Sequence, residues 1–230
     1  MSDYHGKKLT ARARLAGSIA ARVTVVVAFF VAWSAVYDLT NVHGSTSGRA
    51  IQFASPCDLF SGLLQPWTAV IYLFGGVALP LVPFCFHWRW RGIRFVLMCY
   101  TIAAAITFAA YWLWPVRMDR PTFDGPDVGS RLMRWIQAVD QPANCCPSSH
   151  ALFAVLGAIL VAHGEAGTLT RTLTWVLAVA VCATTITTGQ HYFVDVAAAV
   201  GVAAAAYAAA RALRITPRPA SHRGRSSPRE

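Results

Sequence analysis

Apolar residues in this 230-residue chain come in long, almost unbroken runs separated by short polar stretches. A hydrocarbon core of about 30 Å takes about 20 apolar residues of helix. Six runs approach that length, at about 15–37, 67–86, 93–114, 149–163, 169–188 and 192–210. The pattern predicts an all-α fold, a bundle of six transmembrane helices. The fourth run is short, so it either begins a few residues earlier or is shielded by its neighbours. The first run follows Lys7, Lys8, Arg12 and Arg14, as a signal peptide would, but it exceeds the 7–15 apolar residues of such a segment. It is read as a retained helix. Two connecting segments are long, at about 38–66 and 115–148, and loops of that length are often functional. Within the second, Leu132, Trp135, Ile136 and Val139 recur at helical spacing beside Arg131 and Arg134. That spacing suits a short helix lying in the headgroup layer or a lid packed on the protein.

Composition sharpens the picture. The chain is 56% hydrophobic and 13% charged, whereas a soluble domain carries roughly a quarter charged residues. An ordinary water-facing surface is excluded. The length fits one domain, a membrane domain at 15–210. It is flanked by a cytoplasmic N-terminal segment at 1–14 and a basic tail at 211–230 whose Pro, Ser and Arg content predicts disorder.

Charge sets the orientation. Six crossings put both termini on one side, together with the loops near 88–92 and 164–170. Fifteen of the twenty Lys and Arg fall there, and five, Arg49, Arg117, Arg120, Arg131 and Arg134, fall on the other. The positive-inside rule therefore places both termini in the cytoplasm. The net charge of +10 is mainly this topological signal and does not indicate a nucleic-acid partner. Among the six cysteines, Cys85, Cys99 and Cys182 lie in or near apolar runs and read as small hydrophobes. Cys57, Cys145 and Cys146 fall on the outer side, where Cys57 can pair with either member of the adjacent pair.

Polar residues gather at the outer ends of the third, fourth and sixth runs. Arg117 and Arg120 follow the third, Pro147, Ser148, Ser149 and His150 open the fourth, and His191 and Asp195 open the sixth. Two histidines, a carboxylate and two arginines thus reach one depth from three distant segments. Asp195 stands four residues past His191, on one helix face. A carboxylate within a membrane span is costly and marks function by default. Its natural partner is the His191 imidazole, whose tautomer it would fix, although such a pair also serves as a structural contact. His150 sits in the first turn of a helix, where unpaired N–H groups favour an anion, with Ser148 and Ser149 as further donors. Arg117 and Arg120 are three apart, and guanidinium groups fork onto phosphate oxygens; Arg117 also suits snorkelling to headgroups.

Together these segments resemble the type 2 phosphatidic acid phosphatase superfamily of membrane phosphatases and phosphotransferases. The first family motif ends in Arg-Pro, matched by Arg120 and Pro121. The second is Pro-Ser-Gly-His, matched by Pro147, Ser148, Ser149 and His150. The third ends in a histidine, three residues and an aspartate, matched by His191 and Asp195. Two positions depart: the usual lysine before Arg-Pro falls on Leu113, and the arginine before the third-motif histidine falls on Thr185. The text around Tyr111, Pro115 and Arg120, with Ser149 for glycine and Thr185 for arginine, looks most like the inositol phosphorylceramide synthase-like branch.

The resemblance implies a six-helix bundle in the inner membrane with its site facing the periplasm or exterior. It implies a phosphorylated lipid substrate, His191 as nucleophile, His150 as acid and base, and Asp195 behind His191. Arg120, Arg117, Ser148 and Ser149 would hold the phosphate, with no metal or other cofactor. Two other classes remain open at this point: a zinc hydrolase ligated by His150, His191 and Asp195, and a lipid-binding or transport protein.

Overall fold

The computed structural model describes residues 2–47, 49–50 and 64–215, with side chains described over 18–47 and 64–213. The expected basic tail beyond Ile215 and the Cys57 half of the expected disulfide lie outside the described residues. Cys145 and Cys146 carry free thiols.

The described chain is helical apart from two short strands and the connecting loops. Its helices are α1 (Ser2–Ser47), α2 (Ala69–Ala78, entered through a 3-10 turn at Pro66–Thr68), α3 (Val82–Phe86), α4 (Trp90–Leu113), α5 (Val128–Val139), α6 (Ser149–Ala162), α7 (Thr168–Thr187) and α8 (Phe193–Ile215). Two-residue strands β1 (Arg49–Ala50) and β2 (Val116–Arg117) pair in parallel. Among the described residues, four helices are long and apolar enough to cross a membrane: Ser18–Ser47, Trp90–Leu113, Thr168–Thr187 and Phe193–Leu213. Two apolar helices, Pro66–Ala78 and Ser149–Ala162, are shorter.

The expected run at 67–86 is broken. Pro80 cannot donate to the carbonyl four residues back and its ring crowds that turn, so α2 stops at Ala78 and α3 restarts at Val82. The carbonyl of Pro80 accepts from the buried Tyr100 hydroxyl at 3.0 Å. That bond satisfies polar backbone where lipid cannot.

The expected short run at 149–163 is shielded rather than extended. At about 1.5 Å per residue, the 14 residues of α6 span about 21 Å, too little for the hydrocarbon core. Nearly all of them are buried, because α6 is enclosed by α2, α3, α7 and α8. Around it, Trp33, Phe29 and Phe30 of α1 pack on Tyr100 and Phe153. The alanines at 199, 203, 206 and 210 give α8 a fully buried stripe, which lets backbones approach closely. Outward faces carry Val31, Phe74, Val179 and Leu169. These suit acyl chains better than water.

One end of the bundle gathers the polar segments. Gln65 N donates to Thr187 O at 2.9 Å, Ser148 N to Asp195 O at 3.1 Å, and Tyr111 Oη to Pro147 O. Here α5 lies across the end. Asp127 caps it, accepting from Ser130 N at 2.9 Å. Met133 and Ile136 pack on Ala69, Tyr72 and Phe123, while Val128, Trp135 and Val139 stay exposed. The segment therefore packs on the protein, as the lid expectation has it, and it also leaves an apolar outer edge exposed.

Candidate active site

The third segment is built on a glycine turn. Gly189 has φ +64, the left-handed region that residues with a side chain rarely adopt. It ends α7 so that Gln190 N and His191 N both donate to Thr185 O at 3.1 Å. A side chain at Gly189 would run into the Pro121 ring, so the Arg-Pro segment docks directly on this turn.

His191 is buried and comes just before α8 rather than within it. The expected shared helix face with Asp195 is thus replaced by a cap. Asp195, in the first turn of α8, accepts from Tyr192 N at 2.8 Å through Oδ2, the returning half of a capping box. Helix polarity favours a carboxylate there. His191 Nδ1 lies 3.0 Å from Cys145 O and 3.5 Å from Asp195 Oδ2. A backbone carbonyl only accepts, so this network assigns the ring proton to Nδ1 and leaves the Nε2 lone pair free. The expected carboxylate partner is present, but the nearer one is a main-chain oxygen. Asp195 Oδ1 is buried without a hydrogen-bond partner.

His150 lies flat on Tyr72, with ring centroids 4.0 Å apart and an interplanar angle of 27°. Gly76, one turn further along α2, makes room for it: a Cβ there would overlap His150 Cδ2. The His150 ring is within electrostatic reach of His191, Arg120 and Asp140. The two serines before it are already engaged. Ser148 caps α6, accepting from Ala151 N at 3.4 Å, and spends its own N–H on Asp195 O. Ser149 Oγ bonds the buried Tyr111 hydroxyl at 2.9 Å. What remains to this helix start for an anion is the backbone N–H of Ser149 and His150, which has no intrahelical acceptor.

Arg120 pairs with Asp140, Nη2 to Oδ2 at 2.7 Å, and its Nη1 donates to Asp140 O. Its Nε is buried without a partner. Arg117 diverges: its Nη1 donates to Ser45 O at the end of α1, 3.2 Å away, where a cation meets the negative end of a helix. The departed family positions are explained locally. Leu113 is 79% exposed on the outer surface of α4, and Thr185 Oγ1 turns back to Cys182 O at 2.7 Å.

Sequence reasoning missed Tyr72, Gly76 and Asp140 as parts of this site and read Tyr111 only as part of the first motif's text. Tyr72 and Gly76 stand four apart on one helix face, and Asp140 is one of only ten acidic residues in the chain. Both signals were visible. Burial, then the Asp195 charge, pushes the Cys145 and Cys146 thiols up to about 12, so neither is a thiolate nucleophile at neutral pH. No group of three or more His, Cys, Asp or Glu among the described residues is placed to hold a metal ion, so the zinc arrangement gains no geometric support. Beside the site, a cavity of about 310 Å³ opens between α4 and α8, lined by Ile106, Ala110, Trp114, Ala198 and Val202 and ending on Cys146 and Pro147.

The described residues are largely helical, with apolar helices of membrane-spanning length and a histidine held by a carbonyl and a carboxylate at one end, features that fit a membrane phosphatase. The family model of the PAP2 superfamily matches residues 60–209, and the chain belongs to that superfamily. No curated protein and no solved structure matches it.

Proposed function

We propose that this protein is an integral membrane lipid phosphatase or phosphotransferase that works through a phosphohistidine. The observation that carries the proposal is the His191 ring, held by Cys145 O and Asp195 with Nε2 free and with His150 and Arg120 at the same end of the bundle. In the first step, Nε2 attacks phosphorus, a P–N bond forms, and the P–O bond to the leaving group breaks as His150 gives it a proton. In the second, His150 takes a proton from water or an alcohol, whose oxygen displaces the imidazole. Arg120 and the first-turn amides of α6 stabilise the outer oxygens, and charge stabilisation with positioning is most of phosphoryl-transfer catalysis. Arg117, set at the end of α1, would act at longer range. Asp195 steadies the imidazolium. An acid and a base in opposite protonation states give a bell-shaped pH profile.

The apolar cavity between α4 and α8 supports a lipid substrate, since it offers a hydrocarbon chain a course ending at Cys146 and Pro147, just before Ser148 in the chain. Six spans, cytoplasmic termini and a site facing the periplasm complete the reading. They rest on the charge asymmetry, with α2–α3 and α6 as the two short crossings. The Ser149 and Thr185 departures favour the inositol phosphorylceramide synthase-like branch, and water or an alcohol is the acceptor. The test is a panel of lipid phosphates given to detergent-purified protein with and without alcohol acceptors, measuring free phosphate and new lipid together. Orthovanadate should inhibit. A His191→Ala protein that keeps wild-type turnover would refute the mechanism.

A further inference from the structure

Asp140 ends α5 and sits at the centre of a polar knot outside the three motifs. Its Oδ2 meets Arg120 Nη2 at 2.7 Å, and its carbonyl takes Nη1 of the same guanidinium. Its other oxygen, Oδ1, accepts from Tyr37 Oη at 3.1 Å and Asn41 Nδ2 at 3.0 Å. The backbone is pinned as well, Asp140 N donating to Ile136 O at 3.0 Å. Both Nη groups of Arg120 are therefore occupied, while Nε is buried and has no acceptor.

We propose that Asp140 is the positioning residue for Arg120: it grips the Nη edge, fixes the plane of the guanidinium and reserves Nε for a phosphate oxygen. The inference rests on reading Arg120 as a phosphate-binding group. Two features separate it from an ordinary ion pair. The carboxylate is held from behind by two side chains of α1, so it cannot swing with the arginine as exposed partners do. Asp140 also ends the helix whose Met133 and Ile136 pack on Tyr72, the ring stacked on His150, so the pair borders the proposed chemistry. A buried donor left without an acceptor is unfavourable, and a bound phosphate oxygen removes that defect.

The test uses the full chain in detergent, with orthovanadate as phosphate probe and two readouts, thermal shift and steady-state phosphate release. Asp140→Asn removes the charge and sets an amide N–H against donors on one side or the other, either Nη2 or Tyr37 and Asn41, and Arg120→Lys removes the fork. Each single change is expected to lower kcat/KM about ten- to a hundred-fold, as loss of a supporting partner does, and to cut the vanadate-induced rise in Tm. The double variant should fall no more than about threefold below Arg120→Lys, because the acid acts through the arginine. Tyr37→Phe and Asn41→Ala loosen only the rear support. They should give smaller losses of the same kind, and they supply the test if Asp140→Asn does not fold. Losses that multiply in the double variant, or vanadate stabilisation of Asp140→Asn equal to wild type, would overturn the inference. A wild type that releases no phosphate yet binds vanadate in an Asp140-dependent way sinks the catalytic reading and leaves this one standing. A wild type that binds no vanadate sinks both.

Discussion

Asp195→Asn separates two jobs that one acid usually performs together. In hydrolase triads the buried aspartate both sets the histidine tautomer and stabilises the imidazolium, and replacing it by asparagine costs about 10⁴ in kcat, chiefly through the wrong tautomer. Here the tautomer has a second guardian. Cys145 O lies 3.0 Å from Nδ1, nearer than Asp195 Oδ2 at 3.5 Å, and no change at position 195 alters that carbonyl's chemistry. The variant should lose charge stabilisation alone. Unit charges 3.5 Å apart attract by about 5 kcal/mol at an effective dielectric of about 20, a ceiling before screening by Arg120 and water. Removing one preorganised electrostatic partner commonly costs about 10²–10³ in rate. That is the expected loss in kcat, with KM little changed. Asparagine still offers an oxygen to Tyr192 N, so the cap on α8 survives and the melting temperature should hold. The assay is initial-rate phosphate release by purified protein in mixed micelles, using the lipid phosphate that wild type turns over fastest. A loss of about 10⁴ or more would mean that the carbonyl does not hold the tautomer. A loss under about tenfold would mean that Asp195 serves only as a helix cap.

Three further expectations follow from the geometry. Gly76→Ala drives a methyl group into His150, and kcat should fall about a hundredfold, as a misplacement near 1 Å can cause. The helix-propensity gain of alanine, about 1 kcal/mol, should keep the melting temperature close to wild type; unaltered kcat would deny His150 a role. Asp127 is pulled below the ordinary aspartate value by its bonds to the Ser130 side chain and amide, so its contribution to α5 is present above about pH 3.9 and is lost as pH falls through the lower folded value. Amide exchange at Ser130 should accordingly quicken in Asp127→Ala at neutral pH, and the difference in melting temperature between that variant and wild type should narrow in acid rather than widen. Ala198→Leu narrows the cavity between α4 and α8 and should depress turnover of a long-chain lipid phosphate about tenfold more than that of a short-chain one; equal effects on both would remove that cavity from substrate binding.

The membrane character and the cluster of motifs were legible because each depends on side-chain identity and spacing. Long apolar runs announce helices, and His191, Asp195, His150 and Arg120 come from segments whose spacing brings them to one end. The break at Pro80 was also legible in principle, since proline interrupts a helix for a local reason, yet the run around it is apolar enough to conceal the break. Burial of α6 was harder. A 14-residue apolar helix looks the same whether lipid or other helices surround it, and only the packing of α2, α3, α7 and α8 decides the matter.

What escaped the sequence has a common physical cause: much of this site is held by backbone carbonyls. Cys145 O accepts from His191 Nδ1, Asp140 O from Arg120, Pro147 O from the Tyr111 hydroxyl, and Thr185 O from the two amides that turn the chain into His191. A main-chain oxygen carries no residue signature, so no motif can display it. The choice is sensible at the end of a membrane bundle. Each carbonyl is a fixed acceptor that adds no charge to a poorly hydrated region, where every extra ion carries a desolvation cost. Carboxylates are kept for the two places where a positive charge must be met: Asp195 beside the imidazole that becomes cationic on attack, and Asp140 beside a guanidinium that is cationic always. The arginine therefore has a permanent counter-ion while the histidine's is needed only during turnover. On this argument, removing Asp140 should disturb the resting protein more than removing the charge of Asp195 does, and the melting temperatures of Asp140→Asn and Asp195→Asn, compared under one set of conditions, measure that difference directly.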